Sequence, residues 1–134
     1  MGYRFEFDSG NNILRCSWEG RVTDEHLLEG FSAAVKLVAS HTSRKVIDDY
    51  SGVTEFDVSS RTIERMAKMQ QVPLGGIDSM VVVIAPKDVV YGLARMFSSI
   101  NDQIYPNVHV VRTVRQAYAL LGITSAQFSP ITVP

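Results

Sequence analysis

The sequence predicts an α/β domain with a mainly parallel central sheet that opens on an antiparallel hairpin. Three observations carry that expectation. Strand-like and helix-like segments alternate in the order ββαβαβαβα along 134 residues, a pattern that favours parallel pairing through right-handed crossovers. Met80-Val81-Val82-Val83-Ile84-Ala85 is an uninterrupted apolar run, which suits a strand covered on both faces. Asp8-Ser9-Gly10-Asn11-Asn12 supplies turn residues between the first two strands and makes them a hairpin.

Each element has its own signature. Tyr3, Phe5 and Phe7 alternate with Arg4 and Glu6, the period of a half-buried strand. The return strand reads Ile13 to Trp18, with Leu14, Cys16 and Trp18 on one face. Thr23 can cap the first helix, whose opening turn carries Asp24 and Glu25, where negative charge is favourable. Leu27, Phe31, Ala34, Val35 and Val38 form its apolar stripe, and it should end near Ser40. Lys45-Val46-Ile47-Asp48 is the third strand, followed by a Ser51-Gly52 turn. The second helix is expected over Asp57–Met69, capped by Asp57 or Ser59, with Ile63, Met66, Ala67 and Gln70 at helical spacing. Pro73 and Gly75-Gly76 close that region.

Pro86 is placed to open the third helix, whose buried face is Val90, Leu93, Ala94, Phe97 and Ile100. Val108–Val111 is the last strand. Thr113 and Gln116 have capping-box spacing, and the helix they start runs to Leu121 and stops at Gly122. Residues 1–122 thus read as one domain and 123–134 as an extended arm, either disordered or docked on a neighbour.

Composition narrows function. Thirteen basic and fourteen acidic residues leave a net charge of −1, so nucleic acid is not an expected partner. Hydrophobic residues at 46% and charged residues at 20% are ordinary globular usage. Cys16 is the single cysteine, which fits a reducing compartment. The amino terminus lacks the pattern of a signal peptide or of a myristoylation site, and no run of about eighteen apolar residues marks a membrane span. A cytoplasmic protein with no stable membrane insertion is expected.

The stretch Val46-Ile47-Asp48-Asp49-Tyr50-Ser51-Gly52-Val53-Thr54-Glu55-Phe56-Asp57-Val58-Ser59-Ser60 resembles the STAS domain superfamily, the SpoIIAA-like fold of anti-sigma factor antagonists. In that family a strand ending in Asp leads to Ser-Gly-Val, then to an apolar residue and Asp-Ser-Ser-Gly at the next helix start. Asp48, Ser51, Gly52, Val53, Phe56 and Asp57 match that register. The resemblance implies a regulatory or protein-interaction module with a protein partner, no enzymatic activity and no cofactor. At the antagonists' phosphoserine position stands Val58, with Ser59 next. The chain is closer to a divergent SpoIIAA-like group that is often compared with lipid-binding domains.

The candidate contact surface is accordingly the corner formed by Asp48, Asp49, Ser51, Asp57, Ser59 and Ser60. A phosphate on Ser59 or Ser60 would meet free N–H groups at a helix start, although a plain cap explains the same residues. Asp48 and Asp49 with Asp57 have the chemistry of a magnesium site. Consecutive strand residues point to opposite faces, however, so one Asp should cap a turn and the other meet solvent. His26, His41 and His109 lie in separate elements without metal-ligand spacing. Around the third helix, Tyr91, Met96, Phe97 and Tyr105 exceed what one buried stripe needs. A groove there for a small apolar, lipid-like ligand, with Tyr91 and Phe97 in contact, is the alternative function. The apolar arm and the hairpin's free edge leave room for a homodimer.

Overall fold

A computed structural model describes residues 2–69, 79–100 and 107–132. Strand β1 (Tyr3–Asp8) runs antiparallel to β2 (Ile13–Thr23), with Tyr3 opposite Trp18 and Phe5 opposite Cys16. Asp8 sets the turn between them. Its Oδ1 accepts from the Asn11 backbone N–H, and its Oδ2 accepts from the Asn11 side-chain amide and the Gln127 backbone N–H. Burial pulls this carboxyl upward, but the hydrogen bonds outweigh burial and hold its pKa below the usual aspartate value.

Thr23 Oγ1 accepts from the His26 N–H and starts helix α1 (Asp24–His41). Of the expected stripe, Leu27 and Val38 are buried and Phe31 and Ala34 pack against the core, whereas Val35 is 40% exposed and Gly30 and Leu37 are buried in addition. Trp18 accounts for the burial of Gly30. A Cβ on Gly30 would stand 2.4 Å from Trp18 Cη2, so the indole seats where the helix has no side chain.

Strand β3 (Lys45–Asp57) is the main departure from the sequence reading. It does not stop at Asp48, and Ser51-Gly52 is not a turn. The strand continues alongside β2, which itself runs past Trp18 to Thr23. Ser17 pairs with Asp49 but Glu19 with Gly52, and Gly20 pairs with Val53 but Arg21 with Glu55. Each step inserts one extra residue into β3, a pair of β-bulges that accommodates turn-type residues without ending the ladder. Gly52 suits that position, since a Cβ would lie a tight 3.0 Å from the Trp18 carbonyl oxygen. Helix α2 (Ser60–Met69) therefore begins three residues later than expected, and Asp57 ends β3, paired with Arg21 at 2.6 Å.

Strand β4 (Met80–Ile84), helix α3 (Asp88–Ile100), strand β5 (Val108–Val111) and helix α4 (Val114–Leu121) follow. Helix α3 starts two residues after Pro86, and Ile100 is 42% exposed rather than buried. The Thr113–Gln116 capping box and the left-handed Gly122 (φ 71°) form as expected. Gln70, Pro73, Gly75, Gly76 and Tyr105 lie outside the described residues.

The arm docks on a neighbouring strand: Ser129–Ile131 (β6) pairs antiparallel with β1. The hairpin edge is thereby covered by the chain itself, which removes that motive for a homodimer. The six strands take the order β5-β4-β3-β2-β1-β6. Neighbours from β2 to β5 are parallel, and β1 is antiparallel to both β2 and β6, so the sheet is mixed.

Val81 and Val83 of β4 join one core and Val82 and Ile84 the other, the two-sided burial its apolar run predicts. On the first face, Leu27 of α1, Ile63 of α2 and Val90 of α3 cover the sheet. On the second, Ala117 and Leu121 of α4 pack with Ile13 and Ile47, and Phe128 joins them. No helix among the described residues is long and apolar enough to cross a membrane.

Candidate functional site

Strand register places a carboxylate in the middle of an apolar surface. Across the sheet, Phe5, Cys16, Asp48, Val83 and Val110 form one row of directly paired residues. Asp48 shares its face with Val46 and Tyr50, and Trp18 lies on the same face two residues beyond Cys16. The Trp18 Nε1–H donates to Asp48 Oδ1 at 2.6 Å, and the Tyr50 hydroxyl donates to Oδ2 at 3.0 Å. The two rings stack with centroids 5.5 Å apart and planes 4° from parallel, and Phe56 meets Tyr50 edge-on at 5.6 Å.

Above this cluster is a partly enclosed cavity of about 100 Å³. Its floor is the face of β2, β3 and β4 that carries Cys16, Asp48 and Val83. Its walls are Phe31 and Ala34 of α1, Ile63 and Met66 of α2, and Ala94 and Phe97 of α3. A side chain facing an open cavity touches solvent-sized space, so Asp48 is only half-buried although it sits deep in the fold.

Burial raises the Asp48 carboxyl to about 6, with Asp49 adding to the rise, while the bonds from Trp18 and Tyr50 hold it lower than burial alone would. Burial also pushes the Cys16 thiol and the Tyr50 phenol well above their ordinary values, and the neighbouring Asp48 adds to both. Cys16 is thus a protonated thiol near neutral pH, not an activated nucleophile. Tyr3, packed on Trp18 at 5.2 Å, donates to Glu29 and is pushed up to about 12, first by burial.

The residues singled out from the sequence separate into two groups. Asp48 and Phe97 come together in the cavity. Asp49 points away, and its Oδ1 accepts from the Ser51 N–H at 2.9 Å across the first bulge. Asp48 faces the cavity and the two aromatic donors instead of the outer surface. Ser51, Asp57, Ser59 and Ser60 are exposed and lie apart from the cavity. Tyr91 is not a cavity residue either; the Arg112 guanidinium stacks on its ring 3.9 Å from the centroid, a cation–π contact. Among the described residues no group of three His, Cys, Asp or Glu side chains is placed to hold a metal ion.

Ser59 caps α2. Its Oγ accepts from the Thr62 N–H at 3.2 Å, and its own N–H donates to Asp24 Oδ1 at 2.9 Å. Asp24 already supplies negative charge to this helix start. Ser59→Ala is expected to cost about 1 kcal/mol in chemical denaturation, the ordinary value of a lost cap. An unchanged midpoint would show that Ser59 does not cap the helix.

Trp18, Tyr50 and Cys16 were not among the candidates drawn from the sequence. The available signal was an Asp on the same strand face as Val46, flanked by aromatic residues able to donate to it. Comparison with models of known protein families and with curated proteins finds no match.

Proposed function

We propose that this chain is a non-catalytic binding module that carries or senses a small, mostly apolar molecule held between the sheet and helices α1–α3. The observation that carries the reading is the cavity: apolar walls from three helices converge on one hydrogen-bonded carboxyl group, the composition typical of small-molecule sites. A protonated Cys16 and an acid with no basic side chain beside it among the described cavity residues favour binding over chemistry. A SpoIIAA-like origin remains the family proposal, supported by the residues shared around Asp48–Asp57 and by the α/β order with a mixed sheet.

The cavity is somewhat smaller than the engineered cavity of roughly 150 Å³ that takes up benzene, so a probe of about six heavy atoms is suitable. Cyclopentanol is expected to shift amide signals of residues lining the cavity in an NMR titration. Ala94→Leu, which fills the site from α3, should weaken that binding by about tenfold, equivalent to about 1.4 kcal/mol. Equal titrations of both proteins, or shifts confined to other regions, would refute the reading.

Regulation of a protein partner is the second reading, favoured by one feature of β3. Its residues Asp48, Tyr50 and Phe56 line the cavity, whereas Ser51, Glu55 and Asp57 of the same strand are exposed. Occupancy inside can thus alter the surface that a partner would read. Capture of a partner that depends on cyclopentanol, or is abolished by Ala94→Leu, supports this version.

A further inference from the structure

The charge inside the cavity specifies the ligand more narrowly. We propose that the cavity selects a compact lipophilic amine, whose ammonium group binds Asp48 while its hydrocarbon part rests against α1, α2 and α3. The proposal deepens the binding-module reading and rests on it.

Among the described residues, every ionisable group facing Asp48 is acidic. Strand β2 contributes Cys16, β3 contributes Tyr50 with Asp49 beside it, and the residues of α1, α2, α3, β4 and β5 that line the cavity are all uncharged. No Lys, Arg or His lines the cavity among the described residues, and none occurs in the sequence of residues 70–78, 101–106 or 133–134. The carboxylate consequently has two neutral donors and no compensating cation, although a buried charge is costly unless paired.

It also has free acceptor capacity. A carboxylate accepts roughly four hydrogen bonds, and Trp18 and Tyr50 supply one each. An ammonium group brings three donors and the missing positive charge in one ligand. A neutral alcohol supplies a donor but no charge, and a carboxylate ligand would meet Asp48 with the same sign. Aromatic faces at Trp18, Tyr50 and Phe56 add favourable surroundings for a cation.

The test compares cyclopentylamine, cyclopentanol and cyclopentanecarboxylate by NMR titration of the full chain and of Asp48→Asn. Asn retains an acceptor for Trp18 and a donor that Tyr50 can accept, so the cavity keeps its shape. At about pH 7.5 the amine should bind the parent chain at least about tenfold more tightly than the alcohol, with the carboxylate weakest. Asp48→Asn should abolish the amine's advantage over the alcohol. As pH falls below about 6, where Asp48 takes up its proton, amine affinity should fall up to about tenfold per unit while alcohol affinity stays level. Alcohol binding without an amine preference, or a preference that survives in Asp48→Asn, overturns the ligand class and leaves the binding module standing. Failure of all three probes to bind overturns both.

Discussion

Asp48→Asn is expected to gain stability relative to the parent chain as pH rises from about 4 to about 7, by a total of about 3 kcal/mol. A carboxyl that titrates near 3.8 when unfolded and near 6 when folded changes stability by about 1.4 kcal/mol for each pH unit between those values. The direction follows from proton binding. Between the two values the folded chain holds a proton that the unfolded chain has released, so raising the pH favours the unfolded chain. The group's contribution is complete below the unfolded value and lost as pH rises through the folded one.

Asn does not titrate, so subtracting the parent from the variant isolates Asp48. The subtraction also removes Asp8, whose lowered pKa works in the opposite direction: it stabilises above the unfolded value, and that contribution is lost on acidification. Urea unfolding of both proteins at about one-unit pH intervals measures the difference. Parallel curves would mean that Asp48 is as well solvated in the fold as in the open chain. A divergence of the expected sign would identify Asp48 as a destabilising residue near neutral pH, as expected when a charge is maintained for a ligand instead of for stability.

Local patterns made most of the fold legible. Alternation at Tyr3, Phe5 and Phe7, the run from Met80, and the Thr23 and Thr113 caps are encoded within a few residues, and each element formed where its pattern lies. What failed depends on residues distant in sequence. Ser51-Gly52 has the chemistry of a turn, but β2 lies alongside and offers a continuous ladder, so the same residues become bulges. Helical spacing gives the stripe of α1 but not its edges. Gly30 is buried because the Trp18 indole seats on it, and Val35 falls outside the buried face.

The site was legible to the same extent. Asp48 and Phe97 stood out as individual residues, but their convergence did not. Asp48 acquires its environment because Cys16 is its neighbour in β2 and the Trp18 indole reaches it from the same face. That register is a property of the assembled sheet. The corner after Asp48 follows from the motif likeness, and the continuation of β3 through it distributes those residues between a cavity and an exposed surface.

Trp18 is the residue on which both the cavity and the α1 interface depend, and its truncation should have the largest effect on stability. Trp18→Ala is expected to cost about 3–5 kcal/mol, the range for removing a buried aromatic side chain, since Trp18 is 3% exposed. Trp18→Phe keeps a ring against Tyr50 but removes the donor to Asp48 Oδ1, and should cost about 1–3 kcal/mol for the acceptor left unpaired. Gly30 distinguishes loss of this packing from a general loss of core. In the parent chain Gly30→Ala drives a methyl group into the indole and should cost about 1–3 kcal/mol as overpacking. In the Trp18→Ala background the obstruction is gone, and the same substitution should become stabilising by up to about 1 kcal/mol through helix propensity. Urea unfolding of the four proteins completes the cycle, and the coupling should exceed about 1 kcal/mol with the sign of a relieved clash. Costs that add to within about 0.5 kcal/mol would mean that the indole does not rest on Gly30, and the wall that α1 gives the cavity would have to be placed elsewhere.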